Sequence, residues 1–381
     1  MVALKLLIIL ANFYLCIAED ELIAVTALIR HGSRIPESFY PNDPYSNISW
    51  PFVLGDLTDK GVDEMYHVGK WLKRKYNSFL SEKYDPNEIY AQSLDYDRCI
   101  MTGEATLAGL YPPLADDTWN SKLRWQPTPI HVSPINQDIV VNMNACPKIM
   151  KESEVIRQTE TYKKIMAAFK DYFEYISENC GEKTDFATIY PLFDTLFSEI
   201  KVDLPLPDWA QKIWEQMVPL VELYTKMDSL TLTERRIQVG PLLTRIQSQF
   251  DRAITGVDFG TTKTTYRKFM AYFATEWILY DLTYTLGLPD INIPEFGALY
   301  LIELRRKPNG VDYVRILYRS SAKKGTRAVR VAIRKEKNRV YYGRFRKIIA
   351  PYLIDSAQWV KLCESFTGQN VSVATDVPMS K

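Results

Sequence analysis

The stretch Leu22–Ile29, LIAVTALI, reads as a buried strand, and it runs straight into Arg30, His31 and Arg34 with Pro36 just beyond. Three functional side chains within five positions have no packing use at the end of a core strand. A second run, Phe269–Ala274 (FMAYFA), suits a strand buried on both faces and leads into Thr275-Glu276. Two such strands restrict the chain to a sheet layered between helices, with polar residues gathered at its carboxyl edge.

The intervening segments agree with that architecture. LTDKGVDEMYHVGKWLKRKY places Val62, Met65, Tyr66, Val68, Gly69 and Leu72 on one helical face, NEIYAQS is a short strand, and RCIMTGEATLAGLYPP is a helix stopped by two prolines. Strand–helix–strand repetition predicts an α/β fold with a mixed, mostly parallel central sheet and helices on both faces. Residues 147–250 differ. Tyr162, Ile165, Met166, Phe169, Tyr172, Phe173 and Ile176 form a helical stripe closed by Gly181, and Trp209, Ile213, Met217, Leu220 and Tyr224 repeat the pattern. The expected organisation is a core of residues 19–146 and 251–381 carrying a helical insertion, or cap, at 147–250. Near the C-terminus KPNG turns a hairpin, and residues 319–347 hold twelve Lys or Arg against one Glu, read as a solvated hairpin.

With 47 basic and 46 acidic residues the formal charge is +1, so no global field favours nucleic acid or an anionic membrane. Lys5 followed by the short apolar segment Leu6–Ile17 reads as a secretory signal over residues 1–18, and no later run is long enough for a stable membrane anchor. Asn47-Ile48-Ser49 and Asn370-Val371-Ser372 are glycosylation sequons that such a route would use. Removing Cys16 leaves Cys99, Cys146, Cys180 and Cys363, an even number that permits three disulfide connectivities. No pair has zinc-ligand spacing, so neither a structural metal nor a cofactor is expected.

Arg30, His31 and Arg34, Arg98 beyond the second strand, and Thr275-Glu276 all fall at carboxyl ends of strands, where open α/β sheets bind ligands. Guanidinium forks match phosphate oxygens through paired, charge-assisted bonds, and they can stabilise a phosphoryl group in transfer. A neutral imidazole is then the nucleophile, and a carboxylic acid protonates the leaving alkoxide before its carboxylate activates water. The inventory therefore points to a phosphomonoester, small-molecule or protein-borne.

RHGSRIP matches the Arg-His-Gly-x-Arg-x-Pro motif of the histidine acid phosphatases. SLDYDRCIMTGEATLAGLYPP, LRWQPTPIHV, NACPK and GRFRKIIAPYLIDSAQWVKLC resemble the prostatic and lysosomal branch in order and spacing. The resemblance implies that His31 is the phosphorylated nucleophile and that Arg30, Arg34 and Arg98 bind phosphate. It also implies a Cys146–Cys363 disulfide, a lysosomal, vacuolar or secreted location and, by analogy alone, a homodimer. Cys99 and Cys180 stay unassigned. One departure is serious. The family's His-Asp pair becomes Thr275-Glu276 when Tyr272, Ala274, Leu282 and Leu286 are kept in register. Tyr280-Asp281 would need a slip of five residues, His67 lies on a helix, and His131 lies on a strand as a structural residue. Replacing a charged donor by a hydroxyl loses on the order of 1–2 kcal/mol of hydrogen bonding. Thr275 thus stands as a weakened phosphate-binding group and Glu276 as the general acid. A plain structural reading makes Thr275 only the cap of the following helix and Glu276 a favourable first-turn charge. For function two readings follow: a phosphatase of reduced activity, or a non-catalytic phospholigand-binding descendant. The natural substrate is not encoded in any readable pattern.

Overall fold

The computed structural model describes residues 20–365 apart from 52, 115–117, 148, 150–156, 228–230, 257–266, 290–292, 335 and 337–338. The signal segment with Cys16, and the sequon at Asn370, lie outside the described residues; Asn47 is exposed in a turn.

The strands are β1 (Glu21–Arg30), β2 (Ile89–Ser93), β3 (His131–Val132), β4 (Phe269–Ala274), β5 (Leu299–Arg306), β6 (Asp312–Arg319), β7 (Val329–Val331) and β8 (Val340–Tyr341). They form one mixed sheet in the order β3-β2-β4-β1-β5-β6-β7, with β8 beside β6. Strands β3, β2, β4 and β1 run parallel, and the hairpin strands β5 and β6 extend the sheet antiparallel from β1. Because side chains alternate along a strand, β1 and β4 feed two different cores. Val25, Ala27, Ile29, Phe269, Ala271 and Phe273 pack with α1 (Asp59–Lys75) and α2 (Asp97–Leu110). Ala24, Leu28, Met270, Tyr272 and Ala274 face the opposite helical layer.

The remaining helices are α3 (Glu160–Ala168), α4 (Lys170–Cys180), α5 (Ile189–Lys201), α6 (Asp208–Met227), α7 (Leu232–Gln238), α8 (Gly240–Thr255), α9 (Glu276–Leu286), α10 (Tyr342–Ile349) and α11 (Ser356–Ser365). Helices α3 to α6 share a core of their own that reaches Tyr40 and Phe296, whereas Leu242, Leu243, Ile246 and Phe250 of α8 pack on the sheet. The single helix expected over residues 162–180 is broken at Phe169, which ends α3 and precedes α4. The hydrogen bonds Phe169 N–H to Ile165 O and Phe173 N–H to Phe169 O cross the break. The apolar stripe therefore keeps its direction. Gly181 closes α4 at φ 85°, a left-handed cap that glycine adopts without a Cβ clash.

Close helix packing sets the position of α2. A Cβ on Gly69 would stand 1.9 Å from the Thr106 carbonyl oxygen, and one on Gly109 would stand 2.1 Å from that of Tyr66. Glycine at both places lets α1 and α2 touch backbone to backbone, which holds the N-terminal turn of α2, and Arg98 in it, beside the end of β1.

Cys146 is bonded to Cys363 across a separation of 217 residues, tying the segment after β3 to α11. Cys99 and Cys180 are buried free thiols, and burial pushes Cys99 up to about 12, leaving it inert. Closing so long a loop contributes about 5 kcal/mol in the chain-entropy picture. Peptide mapping without reduction is expected to recover Cys146 and Cys363 in one linked fragment. Cys363→Ser should lower unfolding stability by several kcal/mol, and recovery of Cys146 as a free thiol in the wild type would contradict the pairing.

Candidate active site

The sheet delivers three chain segments to one edge. Arg30 pairs with Ala274 in the β1–β4 register, the His31 amide donates to the Ala274 carbonyl at 3.0 Å, and the Leu94 amide donates to Phe273 at 2.9 Å. Backbone bonds between strand ends therefore place His31, Thr275 and the turn before Arg98 side by side. Ser33 is held from beneath: its carbonyl accepts from the Thr58 hydroxyl at 3.0 Å, and Thr58 in turn caps α1 through the Gly61 amide.

His31, Arg34, Arg98, Thr275 and Glu276 line one cavity of about 130 Å³. Arg30 does not line it. Its guanidinium lies behind, 1% exposed, stacked 4.5 Å over Phe296. One nitrogen donates to the Pro294 carbonyl, and Nε pairs with Glu276 Oε2 at 2.9 Å.

The imidazole is oriented by its own backbone. His31 Nδ1 sits 3.0 Å from the Gly32 carbonyl, a contact that requires the proton on Nδ1 and leaves a lone pair on Nε2. Among the described residues no hydrogen-bonding partner reaches Nε2; Glu276 Oε2 lies 3.9 Å from it. Burial first, and then the positive fields of Arg98, Arg30 and Arg34, hold His31 well below the ordinary histidine value. The ring is neutral, its Nε2 is unpartnered, and His31 lines the cavity.

Each guanidinium meets a carboxylate. Arg34 Nη2 reaches both oxygens of Asp194, at 2.9 and 2.7 Å, and Nη1 donates to Ser198 Oγ at 3.0 Å. Burial works against the charge of Arg34, but Asp194, Glu37 and Glu276 outweigh it and raise its affinity for the proton. Arg98 Nη2 pairs with Glu37 Oε1 at 2.7 Å and stacks on Tyr96. Glu276 Oε1 accepts from the Tyr190 hydroxyl at 2.6 Å, while Oε2 is ion-paired with Arg30. Burial pushes the Glu276 carboxyl up, yet Arg30, Arg34 and the Tyr190 bond prevail, so it is held below the usual carboxylate range.

Thr275 occupies the N-cap position of α9, but its side chain makes no capping bond and the residue lines the cavity. The helix-cap reading of Thr275 is thus not what the structure contains. Tyr280 and Asp281 are buried within α9 and do not line the cavity. His67 is exposed on α1, and His131 is an exposed residue of β3 stacked on Tyr90 at 4.6 Å. Glu37, Tyr190, Asp194, Asn144 and Trp277 also line the cavity, and none was singled out from the sequence. Glu37 had a local signal, three residues beyond Arg34. Asp194 and Tyr190 had none, because a cap helix reaches the crevice only through the tertiary fold.

The family model for the histidine phosphatase superfamily (branch 2) matches residues 21–319. Human prostatic acid phosphatase is 30% identical over 316 residues, covering 80% of this chain and 79% of that protein. Rat (Rattus norvegicus) lysosomal acid phosphatase is 29% identical over 307 residues, covering 79% and 71%. Among solved structures, the apo phytase of Hafnia alvei superposes with a TM-score of 0.68 at 15% identity, covering 91% of this chain and 98% of that one. The phytase of Citrobacter braakii superposes at 0.67 and 17% identity, covering 90% and 99%. The fold built around an Arg-His pair at a strand end, and the extent of the family match, lead to one conclusion: the chain belongs to the histidine phosphatase superfamily, branch 2.

Proposed function

We propose that the protein is an acid phosphatase-like phosphomonoester hydrolase of reduced activity, working through phosphorylated His31 in the secretory route. The observation that carries this reading is the unpartnered Nε2 of a neutral, buried His31, a residue that lines the same cavity as Arg34 and Arg98. Its lone pair attacks phosphorus as the ester P–O bond breaks, and the leaving oxygen takes the proton of Glu276. Water, giving its proton to the Glu276 carboxylate, then attacks the phosphohistidine and the P–N bond breaks. Arg34 and Arg98, with the Thr275 hydroxyl, hold the phosphoryl oxygens, and Arg30 contributes from behind.

Two features slow this site. A separation of 3.9 Å between Nε2 and Glu276 leaves no room for a phosphoryl group between nucleophile and acid, so the carboxylate has to draw back from Arg30. Glutamate, one bond of about 1.5 Å longer than aspartate, reaches into the very place the phosphate needs. The same clamp, with Thr275 in place of an imidazole, favours the second reading, a secreted pseudophosphatase that binds a phospholigand. The similarity to lysosomal and prostatic acid phosphatases, together with the exposed sequon at Asn47, supports the secretory assignment.

The first expectation is that His31→Ala stays folded but loses at least about 10³-fold in kcat/KM on a chromogenic phosphate ester, with no acid-labile phosphoprotein trapped. Persistent activity would place the chemistry elsewhere. The second concerns pH. His31, held well below 6.5, remains a competent nucleophile into the acid range, while protonated Glu276 grows as pH falls. The kcat/KM profile should therefore climb from neutrality toward acid pH and fall only when His31 protonates. A profile rising toward alkaline pH would remove Glu276 as the proton donor. Third, Thr275→His with Glu276→Asp should raise kcat/KM at least about fivefold, by adding a charged donor and withdrawing the carboxylate. If the folded double mutant binds phosphate without any gain, the binding-protein reading is preferred.

A further inference from the structure

The three carboxylates in the cavity are not held alike. Glu276 is 5% exposed and is gripped by Arg30 and Tyr190. Asp194 is 14% exposed and takes Arg34 in a two-oxygen contact. Glu37 is 48% exposed, sits in the loop after Pro36, and is held by Arg98 at 2.7 Å with Arg34 more distant at 3.4 Å. The loop beneath it is fixed by the Gly55 amide bonding to the Pro36 carbonyl at 2.8 Å, with Gly55 at φ 83° packed beside the Glu37 side chain.

A phosphate that takes the Arg98 fork must therefore displace Glu37 first, since it is the least enclosed of the three. Half-exposed as it is, the released carboxylate would turn outward toward solvent at the cavity mouth. That is also where the ester's leaving group lies when its phosphoryl group faces His31. The aromatic rings Tyr96 and Trp277 line the same cavity, and Tyr96 is 38% exposed. The Tyr96 ring already carries the Arg98 guanidinium, so it is the released carboxylate that would receive an alkylammonium group there.

We infer that Glu37 is a specificity-determining residue that selects phosphomonoesters by the charge of their leaving group, favouring an alkylammonium and rejecting a further phosphate or carboxylate. This rests on the phosphate-binding crevice of the proposed function but not on turnover. Every monoester meets the cost of moving Glu37; one bearing a nearby cation recovers it by pairing with the released carboxylate, and one bearing an anion meets added repulsion.

Three phosphonates that cannot be hydrolysed separate these effects: 2-aminoethylphosphonate, ethylphosphonate and 2-carboxyethylphosphonate. Their affinities are measured by calorimetry at mildly acidic pH on the full secreted chain and on Glu37→Gln. The wild type should bind the aminoethyl compound about tenfold or more tighter than the carboxyethyl one, the effect of a unit charge at roughly 6 Å in a half-solvated site. In Glu37→Gln ethylphosphonate should bind more tightly than in the wild type, and the ratio between the charged pair should collapse toward one. Equal binding of the charged pair by the wild type overturns the inference whether or not the variant folds. An unchanged ratio in folded Glu37→Gln overturns it equally. The preference without any hydrolysis of a chromogenic ester would sink only the catalytic reading, whereas hydrolysis without the preference would sink only this one.

Discussion

The site depends on placing two guanidinium groups, Arg30 and Arg34, almost wholly out of water, at 1% and 2% exposure. Ions of that size are costly to bury unless paired and fully hydrogen-bonded. Arg30 is matched by Glu276, by the Pro294 carbonyl and by the face of Phe296. Arg34 is matched by Asp194, Ser198 and the Ile35 carbonyl. Removing either carboxylate would leave an uncompensated charge beside a neutral histidine. The strand ends, the N-terminus of α9 and the cap helix α5 are thereby locked to one another electrostatically.

That requirement explains why α5 contributes to the crevice at all. Asp194, Ser198 and Tyr190 all come from α5, and each meets a residue delivered by the sheet. The aromatic contacts Tyr190 to Trp277 and Phe197 to Phe296 continue the same seam with apolar surface. The polarity of the crevice is consequently balanced rather than uniformly positive: three arginines face three carboxylates around a neutral imidazole. A phosphate entering it exchanges one set of anions for another, so affinity is governed by differences between carboxylate and phosphate contacts more than by total positive charge.

Much of the layered fold was legible because it is written in local periodicity. LIAVTALI and FMAYFA have no charged position, and Thr26 is the one small polar residue between them, so no solvent face could form and both strands had to lie centrally. The helical faces of α1 and α6 follow a stripe that any amphipathic helix needs. The break at Phe169 was not legible, because the apolar stripe runs on through it and the hydrogen-bond ladder bridges it.

The candidate site divides along the same physical line. RHGSRIP, Arg98 and Thr275-Glu276 were readable from sequence because unpaired charges at strand ends have no packing purpose. What each charge does was decided only by tertiary structure. Arg30 turned out to lie behind the cavity, and Glu276 to be clamped by Arg30 and Tyr190; Asp194 entered from about 160 residues away, in the range where sequence carries no pairing code. Side-chain identity determines which charges exist, and the strand register determines roughly where they gather. Whether a carboxylate is a proton donor, a counter-ion or a competitor for phosphate depends on distances of a few ångströms between segments remote in sequence. Only packing of the cap against the sheet sets those distances.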